Sequence, residues 1–441
     1  MRKFLLTICF LVSLIHADGL RSKIDHIIVV YLENRSFDNL FRGFEGADTS
    51  DSPTKPYALQ RDGNGTIYKQ LPVSEEGQKL GFPKSVANEP FLLDQTVSQE
   101  AIIPDMVHRF YQNKLQINGG KNDRFVQISD AQGLSMGYHD MRHSALWRYA
   151  KEYTLCDHFF AAAFGGSFLN HQWLIAARTP YVGDESNISQ YELADNGDII
   201  RDGILTPNGY AVNTIQPLNP PFKSKYSDPK MRLPALTYDT IGDRLSAKNI
   251  TWSWYSGGYD DAVAGKGDII NYQYHHNPFL YFAKYAPNTP GRGHIKDEKH
   301  FFSELREGKL PRVVFFKPAA ADNQHPGYAS VKAADDKLRQ IVESIQTNQK
   351  VWKRSVIIVT YDENGGLWDH VSPPKVDQWG PGTRIPAIII SPYSKHGVVD
   401  HTFYDTTSIL RLIEHRYGIE PLSHRDREAN DLVHTLDLND K

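Results

Sequence analysis

Cysteine is nearly missing from these 441 residues: there are two, Cys9 and Cys156. Cys9 lies in a segment that reads as cleaved, so the mature chain is expected to hold no internal disulfide and to have no disulfide-linked partner. A chain of this length buries an adequate core without such staples, and Cys156 reads as a buried structural thiol. A basic excess is missing as well. Lys and Arg total 49 against 52 Asp and Glu, a net charge of −3, which excludes a nucleic-acid binder that must neutralise a phosphate backbone. Past the start of the chain, no segment has the roughly 20 apolar residues of a membrane-crossing helix. The single apolar run, Phe4 to Ile15, follows Arg2 and Lys3 and closes on Ile15-His16-Ala17, the pattern of a secretory signal peptide cut after Ala17. The expected product is therefore residues 18–441, secreted or periplasmic. Two enzyme signatures are also missing. No His-Glu-x-x-His stretch supports a zincin, and Leu169 stands where a Gly-x-Ser-x-Gly elbow around Ser167 needs its final glycine.

What is present is an ordinary globular composition, 40% hydrophobic and 23% charged. Short β-branched apolar runs predict buried strands at Ile27 to Tyr31, Thr251 to Tyr255, Val313 to Phe316, Ser355 to Tyr361 and Ile385 to Ser391. Helical spacing joins Val331, Ala334, Leu338, Ile341, Val342 and Ile345, and again Thr407 to Tyr417, with Gly418 as a stop. Strands alternating with helices predict the α/β class: a mainly parallel sheet with helices on both faces. The proline-rich stretch near 180–235 and the segment near 41–100 read as surface insertions in one elaborated domain.

Ligands of open α/β sheets gather outside the carboxyl ends of the strands. Acids follow two of the predicted strands there: Glu33-Asn34-Arg35-Ser36-Phe37-Asp38, and Asp362-Glu363-Asn364-Gly365-Gly366 with Asp369-His370-Val371 beyond. Carboxylate and amide oxygens converging from two strand ends suit a divalent cation, and adjacent Asp362 and Glu363 would repel each other without one. Phe164-Gly165-Gly166-Ser167 reads as a tight turn that presents a hydroxyl, which a nearby cation would activate. His108, His275, His276 and His325 are candidates for holding phosphate oxygens or moving protons.

Together and in this order, with Asn118-Gly119-Gly120, Met136-Gly137-Tyr138, His275-His276-Asn277-Pro278-Phe279 and His325-Pro326-Gly327 between them, these segments resemble a known family. It is the bacterial phosphoesterase family of secreted phospholipases C and related acid phosphatases, within the alkaline phosphatase superfamily. The likeness runs from about residue 24 to near Asp431. It implies an alkaline phosphatase-like core and one divalent metal ion, zinc, calcium or magnesium, held by Glu33, Asn34, Asp362 and Glu363. Ser167 is implied both as a ligand and as the nucleophile, with His108, His275, His276 and His325 around the phosphoryl group and Asn170, His171 and His370 binding substrate. Many of these phospholipases C carry a threonine followed by Pro-Asn-Arg at the nucleophile, whereas this chain has Ser167-Phe168-Leu169-Asn170-His171. The leading expectation is a phospholipase C acting on glycerophospholipids, with transient membrane-surface contact. An acid phosphatase acting on phosphomonoesters is the alternative, and a non-catalytic binding protein on the same fold is a third.

Overall fold

The computed structural model describes residues 19–51, 57–183, 187–266 and 271–439. The expected signal peptide, 1–17, lies outside the described residues. Eight strands build the main sheet: β1 (His26–Leu32), β2 (Thr154–Cys156), β3 (Trp252–Ser256), β4 (Ile295–Asp297), β5 (Val313–Lys317), β6 (Ser355–Tyr361), β7 (Ala387–Ile390) and β8 (Val398–Asp400). They lie in the order β4-β3-β5-β1-β6-β7-β2-β8. Every pairing is parallel except those of β7 with β6 and β2. The chain reaches β7 from β6 through a loop without a helix, and only a crossover connection would have returned it parallel.

β1 and β6, at the centre, are apolar on both faces because both faces are covered. The helix Val331–Thr347 buries the six residues that its spacing predicted, behind a Ser330 N-cap. The helix Thr406–Tyr417 stops at Gly418, which takes the left-handed conformation at φ 63°. β2, β4 and β8 were not predicted. At three residues each they are too short to show periodicity, and their place at the sheet margins comes from pairing with longer neighbours.

The two insertion segments are not loose surface. Val73, Phe82, Leu93 and Val97 form a second apolar cluster with Leu134 and Leu367, the latter just beyond the acidic loop that follows β6. From the other segment, Leu205, Ala211, Val212, Ile215 and Leu233 join the main core. Among the described residues no helix is long and apolar enough to cross a membrane.

Candidate active site

The loops after β1 and β6 are stitched together by their backbones. Asp362 N–H donates to Leu32 O at 3.1 Å, Arg35 N–H to Glu363 O at 3.0 Å, and Asn34 N–H to the Asp362 carboxylate at 3.0 Å. Asn34 must adopt φ 59° to turn into this arrangement. Gly365 packs over it so closely that a Cβ there would lie 2.6 Å from Asn34 Cβ, which explains a glycine at this point of the acidic motif. Glu33, Asn34, Asp362 and Glu363 are all buried as a result.

Ser167 does not sit on a simple turn. It opens a helix, α1 (Ser167–Ala176), whose ten residues are all buried. The helix is apolar around most of its circumference, as a fully enclosed helix must be. Its first turn points unpaired N–H groups and the positive end of the peptide dipole at the ends of β1 and β6. The Ser167 hydroxyl donates to Glu33 Oε2 at 2.9 Å and lies 3.4 Å from Asn34 Oδ1. The preceding loop crosses the backbone of Phe110: a Cβ on Gly165 would meet Phe110 N at 2.5 Å, so the approach requires glycine. Asn170, one turn into the helix, holds that loop. Its carbonyl oxygen accepts from Ala163 N–H at 2.9 Å, and its amide donates to the carbonyls of Ala163 and Gly165, each at 3.2 Å.

Imidazoles close the site. His171 Nδ1 lies 2.7 Å from Ser167 O, and the Nδ1 atoms of His108 and His325 rest on the carbonyls of Met106 and Pro326. A carbonyl only accepts, so each of the three rings carries a proton on Nδ1 and turns Nε2 toward the site. The Nε2 atoms face the acids: His171 Nε2 is 3.7 Å from Glu33 and His108 Nε2 is 3.8 Å from Glu363. His276 Nε2 is 3.4 Å from Glu33, with its ring stacked on that of His171 at 5.1 Å. His275 follows edge-on, 4.3 Å from His276. His325 is drawn in by Arg35, whose guanidinium donates to Gln324 O at 2.9 and 3.1 Å.

The electrostatics are those of a site built around a cation. Burial, then the neighbouring Asp362 charge, hold the Glu33 and Glu363 carboxyls well above their usual range. Burial pulls His171, His276 and His325 well below the usual imidazole range, and His275 down to about 3. Asp362 Oδ2, Glu363 Oε1, His171 Nε2 and His276 Nε2 are buried without a hydrogen-bond partner. Buried polar atoms are rarely left so, and oxygen and neutral imidazole donors converging in this way fit a divalent ion. Glu33, His171 and Asp362 each offer a ligand atom within 4.8 Å of the others.

The structure thus brings together Glu33, Asn34, Ser167, Asp362, Glu363, His108, His171, His275, His276 and His325, but not every residue of the expected set. Asn170 spends both ends of its amide on the loop before Ser167, so it shapes the nucleophile's approach and presents no free group to a substrate. His171 stands with the acids, as a ligand would. His370 belongs to a neighbouring ion network, with Nδ1 2.7 Å from Asp38 and Nε2 3.1 Å from Asp48. Asp38 raises its pKa in spite of burial. Lys317, at the end of β5, went unnoticed in the sequence although its buried ammonium contacts Glu33 directly. The signal was a lysine closing an otherwise apolar buried strand, which needs a partner at that strand's carboxyl end.

The Phosphoesterase family model matches residues 24–420 of this chain. Phospholipase C B of Mycobacterium tuberculosis is 25% identical over 466 aligned residues, covering 95% of this chain and 79% of the relative. Non-hemolytic phospholipase C of Pseudomonas aeruginosa is 22% identical across 90% of this chain, which spans 54% of that longer protein. Among solved structures, a Vibrio parahaemolyticus protein of the alkaline phosphatase superfamily aligns over 75% of both chains with 10% identity and a TM-score of 0.35.

Proposed function

The chain belongs to the Phosphoesterase family, and we propose that it is a metal-dependent phospholipase C, cleaving glycerophospholipids to diacylglycerol and a phosphorylated head group. One observation carries the chemical half of this reading: a buried serine hydroxyl, 2.9 Å from Glu33, at a helix N-terminus and surrounded by carboxylate and imidazole atoms that have no partner. The lipid half rests on the relatives, phospholipases C matched over nearly the whole chain.

Glu33, Asn34, Asp362 and Glu363, with Ser167 and His171, would hold one divalent ion. When bound, such an ion supplies positive charge to the phosphoryl oxygens and eases loss of the serine proton. Its identity, zinc, calcium or magnesium, is open to elemental analysis. Ser167 Oγ then attacks phosphorus, the bond to the leaving alcohol breaks, and a phosphoserine forms that water hydrolyses in a second displacement. The N–H groups of the first turn of α1 receive the phosphoryl oxygens. Lys317, His276 and His275 add donors on the same side. Nε2 of His108 or of His325, whose rings lie 5.8 Å apart, would take up the serine proton and return it to the leaving oxygen. Such preorganised charge does most of the work in phosphoryl transfer.

Export accords with this substrate, since the stretch from Arg2 to Ala17 reads as a signal peptide. The test is hydrolysis by the purified protein of phosphatidylcholine and of an aryl phosphate monoester, side by side. Release of diacylglycerol, abolished by chelation and restored by metal, is expected. Turnover of the monoester with no diacylglycerol would sink the lipid reading and leave a phosphomonoesterase.

A further inference from the structure

A second group of metal-type ligands lies at the margin of the sheet, apart from Glu33 and Ser167. Asp157 and His158 follow the last residue of β2, and His401 follows the last residue of β8, its parallel neighbour. The pairing places all three at one strand end. Asp157 is fully buried, yet among the described residues no lysine or arginine donates to its carboxylate. Its neighbours are imidazoles: His158 Nδ1 and His401 Nδ1 each lie 2.9 Å from Asp157 Oδ1. A buried carboxylate requires a counter-charge. The nearest guanidinium, Arg384, reaches Asp157 and Asp48 only at their main-chain carbonyls, each at 2.9 Å, which leaves the carboxylate itself to the rings or to a cation they share with it.

The spacing suits the cation. Ligand atoms about 2.0–2.1 Å from a tetrahedral zinc stand about 3.3 Å from one another; each Nδ1 is within a few tenths of an ångström of that from Asp157 Oδ1, and one ligand atom from each of the three residues lies within 4.8 Å of the others. Two nitrogens and one carboxylate oxygen make a borderline set that selects zinc over calcium or magnesium. The outer side is open to water, because His401 is 59% exposed and His158 27%. Asp48 closes the inner side. Its N–H donates to Asp157 Oδ2 at 2.7 Å, and its carboxylate lies 3.6 Å from His158 Nε2 and 3.1 Å from His370 Nε2. It thereby takes the place of the outer carboxylate that orients a metal-bound imidazole.

We propose that Asp157, His158 and His401 form a second divalent-cation site of the zinc class, which fastens the marginal strand β8 and the chain around Asp48 to the end of β2. The site is structural. None of its three ligands contacts Glu33, Asp362 or Ser167, so filling it leaves the chemistry at Ser167 alone.

The experiment uses the full-length, untagged protein, stripped with chelator, re-equilibrated with zinc and read by elemental analysis and zinc titration. Wild type is expected to bind one more zinc per chain than His401→Ala or His158→Ala, with affinity for that ion at least about tenfold weaker in each variant. Hydrolysis of a soluble substrate should be unchanged in His401→Ala, whose side chain is largely exposed and touches none of the residues around Ser167. Glu33→Ala should lose the other equivalent and keep this one, so failure of the active-site reading and failure of this one are told apart. Unaltered zinc stoichiometry and affinity in both histidine variants would overturn the proposal and leave a hydrogen-bonded Asp-His cluster.

Discussion

Replacing Asn170 by alanine separates two roles for this residue. Three hydrogen bonds of 2.9–3.2 Å tie its amide to the backbone of residues 163–165. The site is fully buried, so no water is at hand to replace them. At about 1 kcal/mol net for each bond, the loss of stability is about 3 kcal/mol, and more if an orphaned N–H stays dry. The catalytic effect follows from the same geometry. The loop sets the start of α1 and hence the 2.9 Å contact between Ser167 and Glu33, and a misplacement of about 1 Å at a reacting atom can cost about 100-fold in rate. We expect Asn170→Ala to lower kcat by roughly that factor with little change in KM, and Asn170→Asp, which keeps the acceptor for Ala163 N–H, to fall between the two. Steady-state kinetics on a soluble phosphodiester, with denaturant melts of the chelated protein, measures both quantities. A raised KM at unchanged kcat would show that Asn170 binds substrate and would refute the positioning argument.

Ser167→Ala should lose at least about 1,000-fold in kcat while remaining folded, since it removes the attacking atom itself; wild type should proceed with net retention at a chiral phosphorus, and clean inversion would mean direct attack by water. Glu33→Ala and Asp362→Ala should each abolish turnover and lower bound metal, and full occupancy in both would refute a shared site. Glu414 is buried with both carboxylate oxygens unpartnered, and burial and then Asp426 raise its pKa to about 9. The folded state therefore holds a proton that the unfolded chain releases above about 4.3. Stability from this group is complete at low pH and drains away as pH rises toward 9, on the order of 2 kcal/mol between pH 5 and pH 7. Glu414→Gln should flatten that slope in melts taken across this range; an unchanged slope would mean that the acid is already ionised in the fold.

The sequence by itself determined the elements whose period could be read. β1, β5 and β6 are continuous apolar runs because helices cover both faces of the sheet, and the stripe from Val331 to Ile345 is a helix face for the same reason. Through the ordered motifs of the resembled family it also marked the acids and imidazoles that the fold gathers around Ser167. Tertiary structure alone decided the rest. β2, β4 and β8 exist by pairing, not by propensity, and β7 runs antiparallel because no helix carries the chain back. Asn170 and His370 sit in motifs that place them beside reactive residues in the chain, yet a helix turn and a neighbouring ion network give them other partners. Lys317 reaches Glu33 only because β5 and β1 are neighbours in register, 284 residues apart in sequence. Sequence fixes what each residue can donate or accept; which group meets it is set by strand order and burial, which no local spacing encodes.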